Sequence, residues 1–100
     1  MSTVPTDILN TLDALAVATF VDIGKQIDKQ GDPLRAEVYY KRAVRAAETI
    51  YGAYHGEVGL VLLRLAAFYR RNARYSEAEA VEDRVAEITD LYRIDSEDSI

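Results

Sequence analysis

The 100-residue chain contains no cysteine, so disulfide bonds and thiolate metal sites are both excluded. It has two prolines, Pro5 and Pro33, and five glycines. Both residue types interrupt helices, and their scarcity leaves long stretches free to be helical. No apolar run reaches the ~18 residues that a membrane-spanning helix requires. The amino-terminal stretch has no basic leader and sets Asp7 and Asp13 among its apolar residues, which makes a poor secretory signal. The expected location is therefore the cytoplasm. A single histidine, His55, cannot form a metal site in a chain without cysteine, and no serine stands with it in a nucleophile–base motif. A turn-stabilising role is the expectation for it. Glycine-rich phosphate loops and zinc spacings are missing as well. Carboxylate pairs such as Glu82-Asp83 are expected on exposed helix surface, with no apolar pocket to raise a pKa. These absences argue against an enzyme, and no cofactor is expected.

What is present describes one water-soluble domain: 49% hydrophobic and 29% charged residues, enough for a single modest core. The net charge of −5 is unevenly spread. Residues 1–33 carry five acids and two bases; residues 34–74 carry eight bases and three acids; residues 75–100 carry nine acids and two bases. An acidic total argues against nucleic-acid binding, which needs a net basic footprint. The basic middle block leaves room for an acidic peptide.

Sliding the sequence against itself by 42 residues places Ala36-Glu37 on Ala78-Glu79 and Arg42 on Arg84. The same shift sets Ile23-Gly24 on Leu65-Ala66, Ile27 on Tyr69 and Ala43 on Val85. Small residues fall on small and large apolar ones on large, which marks two copies, roughly 17–58 and 59–100. Each copy reads as two helices. Phe20, Ile23, Gly24 and Ile27 recur at the spacing of one buried helical face. Asp32 is suited to cap and Pro33 to open the second helix, whose stripe is Ala36, Tyr40, Ala43, Val44, Ala47 and Ile50. The third helix is expected from about Glu57 to Asn72. The fourth is expected to open on Ser76-Glu77-Ala78-Glu79 as a capping box, with Val81, Val85, Ile88 and Leu91 behind it. Residues 1–94 then form one all-α domain, and 95–100 an acidic, frayed tail. Ile8, Leu12, Leu15, Thr19, Ile23 and Ile27 continue one face with no breaker, so the first helix extends to about 24 residues, near 36 Å.

The run from Gly31 to Ala43, with Gly24, Ile27, Ala36 and Tyr40, resembles the tetratricopeptide repeat at its signature spacing. Leu65, Ala66, Tyr69, Ala78 and Val85 match in the second copy. The 42-residue period and the link Gly52-Ala53-Tyr54-His55-Gly56 resemble the kinesin-light-chain-type repeats. The resemblance implies antiparallel helix pairs in a right-handed superhelix, with the first helix of each pair lining a concave peptide-binding face. Glu82 stands where the pattern has an aromatic residue. Leu63-Arg64 and Val21-Asp22 stand where that subfamily carries paired asparagines.

On that geometry the concave face carries Ala18, Val21, Asp22, Lys25, Asp28 and Lys29 from the first helix. Leu60, Leu63, Arg64, Ala67, Arg70 and Arg71 come from the third. This is an apolar floor with a basic rim, suited to an acidic amphipathic peptide or helix. The expected function is a protein–protein adaptor or scaffold. The alternative is a self-assembling structural protein. There the overhanging Ile8, Leu9, Leu12 and Leu15 of the long first helix, and the nearly all-round apolar third helix, bury against a second copy. Arg70, Arg71 and Arg74 are expected to pair with the acid-rich fourth helix. Tyr40 and Tyr69 are assigned to the core, and Tyr39, Tyr51 and Tyr54 to an interface.

Overall fold

The computed structural model describes residues 6–98, excluding the side chains of 6–10, 12 and 94–98. Four helices follow in order: α1 (Thr6–Lys29), α2 (Pro33–Tyr51), α3 (Gly56–Arg71) and α4 (Tyr75–Asp98). They form two helical hairpins, α1–α2 and α3–α4, joined where α3 packs on α2. The fold is all-α, and α1 is extended: it has 24 residues against 16 in its counterpart α3.

The two hairpin turns repeat the 42-residue correspondence at backbone level. After α1, Gly31 takes φ 86°. Its N–H bonds the Asp28 carbonyl at 3.0 Å, and the Asp32 N–H bonds the Ile27 carbonyl at 3.2 Å. After α3, Ala73 takes φ 59°. Its N–H bonds the Arg70 carbonyl at 3.1 Å, and the Arg74 N–H bonds the Tyr69 carbonyl at 2.8 Å. Both are Schellman turns, which satisfy the last free carbonyls of a helix through one left-handed residue. Glycine adopts that conformation without a Cβ clash; Ala73 does so at a cost.

This turn corrects the expected start of α4. The Ala78 N–H bonds the Arg74 carbonyl at 3.0 Å, as Ala36 bonds Asp32 at 3.1 Å. Arg74 therefore holds the capping position, Tyr75 is the counterpart of Pro33, and Ser76 lies inside the first turn rather than at the cap. In the first copy the Asp32 side chain accepts the Arg35 N–H at 3.2 Å. An arginine cannot accept, so the second copy lacks that cap. At the other end, α4 runs helically through Asp98, into the stretch read from sequence as a separate tail; residues 99–100 are outside the described residues.

The core draws on all four helices and runs continuously from one hairpin into the other. Tyr40, Val58, Leu62 and Phe68 are its largest fully buried side chains. The Tyr40 and Phe68 rings meet at 4.9 Å and those of Phe68 and Tyr69 at 5.5 Å. Within the first hairpin, a Cβ on Gly24 would lie 3.0 Å from the Tyr40 ring, so any larger residue at this crossing would press on the ring. The second copy carries Ala66 there and Glu82 in place of the ring. Small residue and large neighbour change together.

The α3 helix is buried by the chain itself. Val58, Gly59, Val61, Leu62, Leu65, Ala66, Phe68 and Tyr69 are all enclosed by the other helices. A second subunit is not needed to cover these eight residues. Leu60 and Leu63 stay exposed, at 58% and 48%. Of the overhanging residues, the side chains of Ile8, Leu9 and Leu12 lie outside the described residues, and Leu15 is 57% exposed.

Candidate functional groove

A groove runs between α1 and α3 with α2 as its floor. The residues of α1 and α3 that line it rise together in number, so the two helices run parallel along it. Two adjoining hollows, of about 360 and 420 Å³, share Lys25 and Arg64. The first is walled by Ala14, Val17, Ala18 and Val21 of α1 and by Leu60 and Val61 of α3, over Ala47 and Tyr51; Asp22 and Glu57 stand at its edge. The second, toward the hairpin turns, is lined by Lys25, Lys29, Arg64 and Arg71, with Asp28, Ala67 and Tyr40. One end is apolar and the other carries four cations against one carboxylate.

Of the residues expected to bind a partner, Val21, Lys25, Lys29, Leu60, Arg64, Ala67 and Arg71 come together here. Arg70 and Leu63 do not. The Arg70 guanidinium turns to α4 and donates to both Glu82 oxygens, at 2.7 and 2.6 Å. Leu63 lies on the α4 side of α3, in helical register with Gly59, which packs on Ile88. Tyr51, expected at an interface, does line the groove, while Ala47, expected only in the core stripe of α2, joins it in the floor because α2 crosses under the groove.

The expected pairing of the basic cluster with α4 is met by Arg70 with Glu82 and by Arg74 with Glu77. Arg71 instead pairs with Asp28 of α1 at 3.3 Å, and Asn72 donates to the same carboxylate at 3.3 Å. That bridge ties the two walls of the groove at its basic end. Arg74 also reaches α2, donating to Glu37 at 2.8 and 3.1 Å, and Arg84 meets Glu48 at 3.3 Å. Each of the three contacts joins a carboxylate of the first hairpin to an arginine of the second.

Glu37 is the centre of the strongest of these. Besides Arg74 it accepts the Tyr69 hydroxyl at 2.6 Å and pairs with Lys41 at 3.2 Å. The Arg74 guanidinium beside it, reinforced by Tyr69 and Lys41, holds its carboxyl down at about 2, against a smaller upward pull from burial. Burial, then the Glu37 carboxylate, pushes the Tyr69 phenol well above its ordinary range. Burial also raises Tyr40 at the groove floor, against the pull of Arg71. A charged, hydrogen-bonded clasp of this kind fixes one hairpin against the other.

The link residues place the apolar end. His55 caps α3, its Nδ1 accepting the Glu57 N–H at 3.0 Å, and its ring stacks on Tyr51 at 4.9 Å. The lone histidine thus stabilises the turn and holds the tyrosine that closes the floor. Tyr39 lies outside the groove, beside Phe20 and under Arg42, and Tyr54 is exposed in the link.

Among the described residues there is no cluster of three or more side chains able to hold a metal ion, and no helix long and apolar enough to cross a membrane. Comparison with family models, curated proteins and solved structures finds nothing that matches this chain.

Proposed function

We propose that the chain is a tetratricopeptide-type repeat protein that acts by binding rather than catalysis. It holds an acidic amphipathic segment of a partner in the α1–α3 groove, in the manner of an adaptor. One observation carries this reading: a single groove in which an exposed leucine, Leu60, and an apolar wall pass directly into a cluster of four cations. Apolar anchors supply affinity there, and the cations steer approach and set direction. The matched turns of the two hairpins and the Gly24–Tyr40 crossing support the family reading.

Titration of the labelled chain with short acidic amphipathic peptides tests it. The amides of Val21, Lys25, Leu60 and Arg64 should shift. Leu60→Glu and Arg64→Glu should each weaken binding by about tenfold or more. Leu63→Glu and Arg70→Glu, at positions outside the groove, should leave it unchanged. Binding should also weaken with added salt, because the cations at the rim are screened. Equal effects at all four positions, or no shift with any such peptide, would sink the reading.

A further inference from the structure

The chain has 17 acids and 12 bases, so an unpaired cation is not explained by a shortage of acids. Seven of its twelve cations, Arg35, Lys41, Arg70, Arg71, Arg74, Arg84 and Arg93, have carboxylate partners. Outside the basic hollow Arg42 and Arg45 have none among the described residues, and Arg42 lies over the Tyr39 ring. Lys25, Lys29 and Arg64 line the basic hollow, and no ion pair joins them to a carboxylate among the described residues. Asp28, the one acid there, already serves Arg71 and Asn72. The hollow is built with positive charge left over.

The groove also sets a spacing. From the apolar wall around Val17–Val21 to the cations around Lys25–Lys29 is roughly eight residues of α1, or about 12 Å at 1.5 Å per residue. A helical occupant would carry its acids about two turns beyond its apolar anchor. One segment of this chain has that order. Leu91 is 50% exposed near the end of α4, and Asp95 and Asp98 follow it one and two turns later on the helix. The block from 75 to 100 carries nine acids against two bases, and is the most acidic part of the molecule.

The α4 end cannot serve its own groove. The Tyr92 hydroxyl accepts the Gly56 N–H at 3.1 Å, which pins the end of α4 beside the start of α3, and the helix then runs on away from the basic hollow at the far end of that helix. We propose that the groove is occupied by the carboxyl-terminal end of α4 from a second copy of the chain, with Leu91 on the apolar wall and the following acids on Lys25, Lys29 and Arg64. Two copies exchange these segments reciprocally in a closed dimer. This rests on the groove reading above and names its partner.

The test is a charge swap on the full chain, read as mass by light scattering across a dilution series. The wild-type chain should give a dimer that dissociates on dilution and in salt. Lys25→Glu with Lys29→Glu, and separately Asp95→Lys with Asp98→Lys, should each weaken dimerisation by about tenfold or more. Mixing the two charge-reversed chains should restore it, because each acidic groove then meets a basic segment and each basic groove an acidic one. Circular dichroism of each variant separates loss of the dimer from loss of the fold. A monomer at every concentration overturns the inference, as does a dimer that neither reversal weakens. If such a monomer still shows Leu60 and Arg64 shifts with unrelated acidic peptides, the groove reading stands and only the self-occupancy falls.

Discussion

Glu37 shows how one side chain can carry a joint between two repeats. Its carboxylate gathers Arg74, Tyr69 and Lys41, and the arginine holds it ionised down to about 2. A folded-state pKa depressed below the ordinary glutamate value adds stability that is present above that ordinary value. It is lost as pH falls toward the folded one. Glu37→Gln should therefore cost about 1.5–3 kcal/mol near neutral pH, the range for hydrogen bonds to charged groups. The difference between wild type and variant should shrink as pH is lowered from about 5 toward 2. Urea unfolding at a series of pH values measures this, and a difference that does not change with pH would show the clasp contributes no charge-dependent stability. The residue was legible in the sequence only as part of an Ala-Glu pair repeated 42 positions later. Lys41 lies one turn along the same helix, but Tyr69 and Arg74 come from α3 and the following turn, so no local pattern pointed to those two.

At the scale of the helix, the turns are the informative places. Gly31 and Ala73 occupy the same left-handed position in the same turn, and only glycine does so without strain. Ala73→Gly should raise stability by about 1 kcal/mol, a gain checked by the unfolding midpoint at unchanged denaturant slope. The same substitution made inside a helix has the opposite sign, which suits Gly59 to a converse test. A Cβ there would meet Ile88 at 3.7 Å, ordinary contact distance. Gly59→Ala should stabilise by roughly 0.5–1 kcal/mol through helix propensity, as thermal melts would show. The expected capping box at Ser76 failed for a related reason. Its spacing was right in isolation, but the preceding turn ends two residues earlier and sets where the helix begins.

For the whole molecule, the core continuous from one hairpin into the other means that neither hairpin stands alone. Phe68 is fully buried against Tyr40 of one hairpin and Tyr69 of its own. Phe68→Ala should cost about 3–5 kcal/mol, a large share of the roughly 5–15 kcal/mol a domain of this size has. Unfolding should remain one transition, with helix loss by circular dichroism and tyrosine fluorescence coinciding. Separate transitions for the two probes would mean that the hairpins fold independently. The outer face of α4 carries Glu79, Glu82 and Asp90 at the positions where α2 uses Glu37, Tyr40 and Glu48 to hold the next hairpin. With a carboxylate in place of the Tyr40 ring, that face lacks the aromatic core of the internal joint.

The period, the four helices, the long first helix and the buried aromatics were determined by the sequence itself, because each rests on local spacing that recurs along the chain. Which of two adjacent arginines, Arg70 or Arg71, and which of two leucines, Leu60 or Leu63, faces the groove was decided by tertiary structure. Neighbours on a helix point about 100° apart and residues three apart differ by about 60°. A rotation of α3 by about 60–100° would therefore exchange Arg71 for Arg70 or Leu60 for Leu63. That rotation is set by Phe68 and Tyr69 seating against α2, and by Asp28 and Glu37 reaching across to Arg71 and Arg74. These contacts join residues on different helices, and a pattern read along one helix holds no record of them.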